Sequence, residues 1–435
     1  MFDKKTKKIA LFFGDIILLY TSLFITLMVR YGNKLSAGLL MPNLIPFLVI
    51  ILFWILFFYI SDLYDIEKFI SPLSIGQQSV KTTLSAGALT VLFFYFFPVF
   101  QITPKRVLII YTIISTFFIW ALRIFSFKKI TTSAKIKLFF AENNSNEAKE
   151  LINLISQNPR LGYEIADDYK KANIIITTDE TKKEKKNTEF LYELVLSGKT
   201  IMNFDKLYEL LTGRIPVSLV NENWFLENLA ELDKQTFEKI KRWVDILMTI
   251  IFSVPTIILF PFVAIAIKLN SNGPIFIKQK RTGKMGKVFK LYKFRSMVAL
   301  NPDGLAETDI KMGWKKPEGT DARITFIGNI LRTTRIDELP QIWNVLRGDL
   351  SFVGPRPERP EFVQELEKEI PYYSIRHIIK PGLTGWAQIN FSGASAKDAP
   401  IKMQYDLYYI KNRSLLLEIS ILLKTVMVVL RRAGK

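Results

Sequence analysis

The chain has 435 residues, 49% of them hydrophobic and 34 of them Phe, more apolar side chain than one soluble core needs, so part of it must face lipid. No Cys and a single histidine, His377, exclude structural disulfides, thiolate metal sites and His-rich metal sites, and leave acid–base work to carboxylates. The formal charge of +19 comes from basic residues scattered beside hydrophobic segments, which fits membrane headgroups and phosphates and argues against a nucleic-acid partner.

Four apolar segments, about 9–29, 43–61, 82–101 and 107–126, each approach the ~20 residues that cross a bilayer and predict a four-helix transmembrane bundle over 1–130. The first is long, lacks a small-residue cleavage pattern and is read as a retained span. Lys4, Lys5, Lys7 and Lys8 open the first segment, and Arg123, Lys128, Lys129 and Lys135 close the fourth, so both flanks are expected in the cytoplasm. Asp15, inside the first segment, is a functional candidate because an intramembrane carboxylate is costly. The plainer reading, an Asp near the interface or satisfied within the bundle, is preferred.

Residues 131–230 read as a small soluble α/β domain of Rossmann-like type. Ile136–Phe140 and Asn173–Thr177 are short apolar runs expected as buried strands, with a helical pattern around Glu147–Gln157 between them. The loop after the first strand, Ala141 to Asn146, has no glycine, so close backbone approach to a phosphate is not provided and dinucleotide binding is not expected.

A fifth hydrophobic stretch, about 243–268, has Lys241 and Arg242 before it and Lys278, Lys280 and Arg281 after it. Crossing the bilayer would put one basic flank outside, whereas a helix broken at Ser253, Pro255 and Pro261 that enters the inner leaflet and returns keeps both in the cytoplasm. An ordinary kinked span is the competing reading. The last apolar segment, Leu415–Leu430, carries Glu418 and Lys424 and is expected as an interfacial or packed amphipathic helix.

The chemistry concentrates in Thr334-Arg335-Ile336-Asp337-Glu338-Leu339-Pro340-Gln341 and Gly354-Pro355-Arg356-Pro357. Leu339, Ile342, Trp343 and Leu346 recur at helical spacing, which predicts a helix starting near Asp337 with Pro340 in its first turn and both acids at its positive end. Asp337 as a plain N-cap accounts for one acid and leaves Glu338 unexplained. The functional reading gives one carboxylate the attack on a phosphoryl group and the other the handling of a proton. Arg356, fixed between two prolines, is suited to a phosphate clamp that Arg359 assists. Gly273 to Gly283, with Gln279 and Arg281, reads as turn, strand and basic turn, and Lys293-Phe294-Arg295 adds two cations around an aromatic.

These motifs, with Lys241-Arg242, Asp245 and Lys380-Pro381-Gly382-Leu383-Thr384-Gly385-Trp386-Ala387-Gln388, occur in an order that closely resembles the bacterial sugar transferases, the monotopic phosphoglycosyl transferases, over 235–435. The spans, the α/β domain, Tyr208 to Pro216 and Asn223 to Asn228 resemble the long form of that family, the polyprenyl glycosylphosphotransferases that initiate exopolysaccharide and O-antigen synthesis. The resemblance implies a membrane protein of α plus α/β class, with a catalytic domain over 231–435 that combines a re-entrant helix and amphipathic interfacial helices. It implies transfer of a sugar 1-phosphate from a nucleotide sugar, usually a UDP-sugar, to undecaprenyl phosphate with release of UMP. Further implications are a Mg2+ requirement met by Asp337 and substrate phosphate, and a multi-pass place in the bacterial inner membrane with the catalytic domain cytoplasmic; a homo-oligomer stays open. Carried over by position, the family's nucleophile falls on Asp337, its neighbouring acid on Glu338 and its phosphate-binding arginines on Arg332 and Arg356, with Gln279, Arg281, Lys293, Arg295 and Arg359 as further substrate-binding candidates. Where the family often has Ser-Pro at the membrane bend, this chain has Ile257-Ile258, with Ser253, Pro255 and Pro261 flanking, so the bend position is open. The alternative is an inactive membrane-anchored regulator or scaffold of the same family; retention of Asp337, Glu338, Arg356 and Gln279 argues against it. A transporter does not fit a large soluble half with its own catalytic-type loops.

Overall fold

The computed structural model describes residues 4–32, 37–65, 72–96, 105–132, 135–142, 144–178, 185–228, 234–298, 323–391 and 398–430. The chain divides into two compact units, Met1–Met202 and Asn203–Lys435.

The first unit begins with α1 (Lys4–Tyr31), α2 (Ala37–Ile60), α3 (Pro72–Phe96) and α4 (Lys105–Thr132). They share a core of Leu19, Leu23, Trp54, Phe58 and Tyr111. Lys8 pairs with Asp65, joining the start of α1 to the turn after α2, so these two helices run in opposite directions. Asp15 of α1 is fully buried, and its Oδ2 accepts a 2.6 Å hydrogen bond from Arg123 of α4, so its charge is paired between these helices while Oδ1 has no partner among the described residues. By length and composition, Lys8–Tyr31 and Val107–Lys128 suffice to cross a membrane, and Pro46–Ile60 is a shorter apolar helix. The end of the expected span 82–101 lies outside the described residues.

The α/β part follows: β1 (Ile136–Phe140), α5 (Asn146–Gln157), β2 (Tyr163–Ile165), β3 (Ile174–Thr177), α6 (Lys185–Leu196) and β4 (Thr200–Asn203) form a sheet of order β2-β1-β3-β4, with β1 parallel to both neighbours. β2 (Tyr-Glu-Ile) and β4 (Thr-Ile-Met-Asn) lack the continuous apolar run that makes β1 and β3 legible in the sequence. Open parallel sheets take ligands at the carboxyl ends of strands where the order reverses, here β1 and β3. There the Thr178 hydroxyl donates to Glu142 at 3.2 Å, so a carboxylate stands where a phosphate would need amide donors.

The second unit starts earlier than the boundary drawn at 230. Helices α7 (Phe204–Thr212) and α8 (Glu222–Asn228) lead Ile215, Val220 and Trp224 into a core with Val363, Leu366, Tyr373, Met403 and Leu407. Trp386 Nε1 donates to Gly213 O at 2.8 Å, and Gly213 turns the chain with φ +66. Residues 203–228, which the sequence placed with the α/β domain, therefore pack on the domain that carries the motifs.

That domain is built around α9 (Gln235–Asn270), the hairpin β5 (Phe276–Thr282) and β6 (Val288–Phe294), α10 (Phe326–Thr334), a 3-10 turn (Ile336–Gln341) and α11 (Ile342–Arg347). It continues through β7 (Ser351–Val353), α12 (Pro360–Glu369), β8 (Gly382–Thr384), α13 (Trp386–Asn390), α14 (Ala399–Asn412) and α15 (Leu415–Leu430). β7 and β8 pair in parallel at the centre. α15 is packed, with Ile421 fully buried and Glu418 paired with Lys241, while Leu416 and Ile419 face outward.

The expectation of a helix broken at Pro255 and Pro261 is corrected: α9 remains one helix across both prolines, over 36 residues. Ser253 and Thr256 donate to carbonyls four residues back, at 2.7 Å each, a pattern that bends helices without ending them. Both ends of α9 dock on the same domain. Near its start, Asp245 accepts from Ser351 Oγ (3.0 Å) and Phe352 N (3.1 Å), and Arg242 donates to Val345 O and Leu346 O, both at 2.6 Å. Near its end, Val263 and Ile267 join Phe294 and Leu331 in a core, and Phe260, Phe276 and Phe294 stack. Between these docks Val254, Ile257, Ile258, Leu259 and Phe262 are exposed.

Candidate active site

The β5–β6 register pairs Gln279 with Leu291, Ile277 with Lys293 and Arg281 with Phe289, so Gln279, Arg281 and Lys293 share one face of the hairpin. The 3-10 turn is fastened to that hairpin by Asn344, fully buried in α11: its Oδ1 accepts from Tyr292 N at 3.1 Å and its Nδ2 donates to Lys290 O at 2.8 Å. Reading by helical period passed over Asn344; the signal was a polar residue at a core position between Ile342 and Val345.

Asp337 does not begin an α-helix as expected. α10 ends at Arg335, which sits in the left-handed region at φ +60, and the 3-10 turn carries Asp337 and Glu338 ahead of α11. A non-glycine residue in that conformation carries a cost of order 1–3 kcal/mol, which functional sites retain when the surroundings enforce it. Here it reverses the chain so that two adjacent acids meet different surroundings.

Glu338 Oε1 lies 3.0 Å from Lys293 Nζ, 3.5 Å from Arg335 Nη1 and 3.5 Å from Arg356 Nη2. Burial works against its charge, but Lys293, Arg356 and Arg335 outweigh it and hold the carboxyl well below the usual range. Asp337, 7% exposed, has a buried Oδ1 with no hydrogen-bond partner among the described residues. Burial pushes its pKa up and Glu338 adds to that, against the pull of Lys293, Arg332 and Arg335. Burial thus works against the ionised form of Asp337.

Arg356 is aimed by its backbone. Four successive carbonyls of its loop accept bonds from three other segments: Pro355 O from Gly382 N (2.9 Å), Arg356 O from Arg376 Nη2 (3.0 Å), and, both from the end of β5, Pro357 O from Arg281 Nη1 (3.3 Å) and Glu358 O from Thr282 N (2.9 Å). Arg281 also donates to Gln279 Oε1 at 2.9 Å, so this pair braces the loop, and burial pushes Arg281 down to about 10. The Arg356 guanidinium remains 45% exposed.

The other candidates are placed less centrally. Arg332 is exposed on α10 and acts on Asp337 through its charge. Arg359 precedes α12 with its guanidinium over Phe362, 5.7 Å from the ring centre. Arg295 is not brought to the site: it is buried and donates to Ile267 O (3.2 Å) and Ser271 O (2.6 Å), closing the carbonyl end of α9. Ser253, Pro255 and Pro261 lie in α9, away from the acids in sequence and packing. His377 is held neutral, its pKa lowered to about 4 by burial and Arg376.

Among the described residues no group of three or more His, Asp or Glu could hold a metal. Asp337 Oδ1 still fits Mg2+, which typically uses one or two carboxylates and completes its shell with substrate phosphate and water.

A buried carboxylate with one unpaired oxygen beside a cluster of cations, on a domain that carries a long apolar helix, fits a phosphate-handling class of membrane-associated protein. The family model described as bacterial sugar transferase matches residues 236–432. An uncharacterized sugar transferase of Bacillus subtilis (strain 168), EpsL, is 39% identical over 199 residues, 45% of this chain and 89% of that protein. The chain belongs to the bacterial sugar transferase family. The UDP-N-acetylgalactosamine-undecaprenyl-phosphate N-acetylgalactosaminephosphotransferase of Aeromonas hydrophila is 40% identical over 247 residues, 56% of each chain. The UDP-glucose:undecaprenyl-phosphate glucose-1-phosphate transferase of Xanthomonas campestris pv. campestris is 44% identical over 171 residues, 39% of this chain and 34% of that enzyme. The chain thus spans about half, or a third, of the length of these two relatives.

Proposed function

We propose that this protein transfers a sugar 1-phosphate from a UDP-sugar to undecaprenyl phosphate, releasing UMP, and so starts assembly of an exopolysaccharide, capsule or O-antigen on its lipid carrier. The observation that carries the reading is the open, buried Oδ1 of Asp337 next to Glu338 and its three cations. Asp337 Oδ1 attacks the phosphorus that bears the sugar; the bond from that phosphorus to the bridging oxygen breaks, and UMP leaves with the electron pair. An oxygen of undecaprenyl phosphate then attacks the same phosphorus and expels the Asp337 carboxylate. Asp337 attacks in its ionised form, the lipid phosphate is an anion and both leaving groups are oxyanions, so from ionised Asp337 onward neither step needs a proton carrier, which suits a Glu338 locked in its ionised form. Its part is to hold Lys293, Arg335 and Arg356 in place as phosphate charge shifts. Mg2+, where bound, neutralises phosphate charge beside Asp337.

The reading places the site at the cytoplasmic face of the inner membrane, with α9 dipping into one leaflet and returning. Its supports are the two docked ends and the exposed apolar residues between them. Trp243, Phe326, Trp343 and Leu416, all exposed, would lie at the same lipid surface.

Detergent-purified protein mixed with a panel of UDP-sugars and no lipid acceptor tests the chemistry. A UMP burst equal to the enzyme concentration, absent from Asp337→Asn, and a sugar-phosphate adduct on the peptide bearing Asp337 are expected. UMP release only in the presence of undecaprenyl phosphate, with no adduct, would replace this route with direct in-line transfer.

A further inference from the structure

The prolines on either side of Arg356 fix φ at 355 and 357 and restrict ψ of Arg356, but leave φ of Arg356 itself to be set by the contacts around it. The Arg356 carbonyl carbon is bonded to the Cα that carries the side chain, so a group that holds this carbonyl also holds the point from which the side chain starts. Among the described residues the carbonyl accepts from Arg376 Nη2, at 3.0 Å. Arg376 lies in the 3-10 turn Tyr373–His377 and is 5% exposed. The same nitrogen donates to Asp406 Oδ2 at 2.9 Å, and Nη1 donates to the Tyr373 hydroxyl. Asp406, on α14, is 2% exposed. A buried ion pair of this kind is weak evidence for stability by itself, because desolvation offsets the attraction. What distinguishes this pair is its third partner, the backbone of the residue that faces Glu338.

We propose that Arg376, held by Asp406, is a positioning residue for the transfer reaction: it fixes the Arg356 carbonyl so that the Arg356 guanidinium stays within reach of Glu338 and of the substrate phosphate. The inference rests on reading Arg356 as a phosphate clamp. A planar guanidinium can serve the Asp406 carboxylate, the Arg356 carbonyl and the Tyr373 hydroxyl together, whereas a lysine ammonium at the end of a flexible stem cannot hold all three at these angles. Neither Arg376 nor Asp406 touches the reacting groups, and each acts through Arg356.

The test is a double-mutant cycle on the full-length protein, measuring UMP release with undecaprenyl phosphate and the UDP-sugar that turns over in the panel. Arg376→Lys and Asp406→Asn should each lower kcat at least tenfold, with the KM for the UDP-sugar within about threefold of wild type. In an Arg356→Lys background, itself down at least tenfold, adding Arg376→Lys should cost less than about threefold, because the aim it protects is already lost. Full multiplicative losses in both backgrounds, or a loss of kcat that tracks a lowered melting temperature and recovers on cooling, would overturn the positioning role. Should Arg376→Lys fail to fold, the isosteric Asp406→Asn carries the same cycle. Near-normal turnover in Arg356→Lys alone would instead remove Arg356 as a clamp, an outcome distinguishable from failure of the tether.

Discussion

Asp337 and Glu338 are neighbours in the chain and opposites in environment: Glu338 Oε1 takes contacts from Lys293, Arg335 and Arg356, while Asp337 Oδ1 has no partner among the described residues. The cations that could quench both acids are spent on one oxygen of Glu338. The other acid is left buried and open, a state that costs free energy in the resting protein and is relieved when phosphorus or a cation reaches it.

Asp337→Asn should therefore abolish turnover and raise thermal stability. Burial raises the folded-state pKa of Asp337, so the stability that its neutral form contributes is fully present below the ordinary value of 3.8 and is lost as pH rises through the folded pKa. At pH 8 the asparagine variant should melt above wild type, with the gap closing as pH falls toward 4. Equal melting temperatures at every pH would mean that ionised Asp337 carries no cost in the fold.

Glu338→Gln should change the pH profile as well as the rate. Burial lowers the pKa of Lys293, and the charge of Glu338 is the foremost influence raising it again. Without that charge, Lys293 loses its proton at lower pH, so the alkaline limb of kcat/KM should move toward neutrality, with at least a tenfold loss in rate. An unmoved alkaline limb would show that Lys293 does not titrate against Glu338.

Lys241 Nζ donates to Val353 O, and Arg281 Nη1 donates to Pro357 O. These carbonyls are four residues apart, at most about 14 Å of chain, under half the ~30 Å hydrocarbon core, which supports the proposal that the charged groups flanking the apolar part of α9 lie on one side of a membrane. Single cysteines at the exposed positions Lys239 and Lys284, in a chain with none of its own, should both resist a membrane-impermeant thiol reagent on intact cells and both react after lysis. Labelling of either one from outside would require α9 to cross.

Gly382→Ala should prevent the site from assembling. A Cβ there would lie 2.1 Å from Gly354 N and 2.5 Å from Thr384 O, backbone atoms already tied by the bond from Gly354 N to Thr384 O. Overpacking of this kind typically costs 1–3 kcal/mol or more. Loss of UMP release with increased trypsin sensitivity is expected, and a stable, active alanine variant would contradict this backbone crossing.

The apolar segments, the first and third strands of the α/β part, the Asp337-Glu338 pair and the proline-flanked Arg356 were legible in the sequence, because each depends on local period or on a residue's intrinsic geometry. Tertiary structure alone decided how the two acids differ, since the partners of Glu338 come from 45 residues upstream and 18 downstream. It likewise turned Arg295 into a cap on α9 and drew residues 203–228 onto the core around Leu366 and Leu407. Four carbonyls around Arg356 became tethers through donors from distant segments. Charge, burial and hydrogen-bond geometry at such separations are set by which surfaces meet on folding, and no local pattern of residue types encodes that meeting.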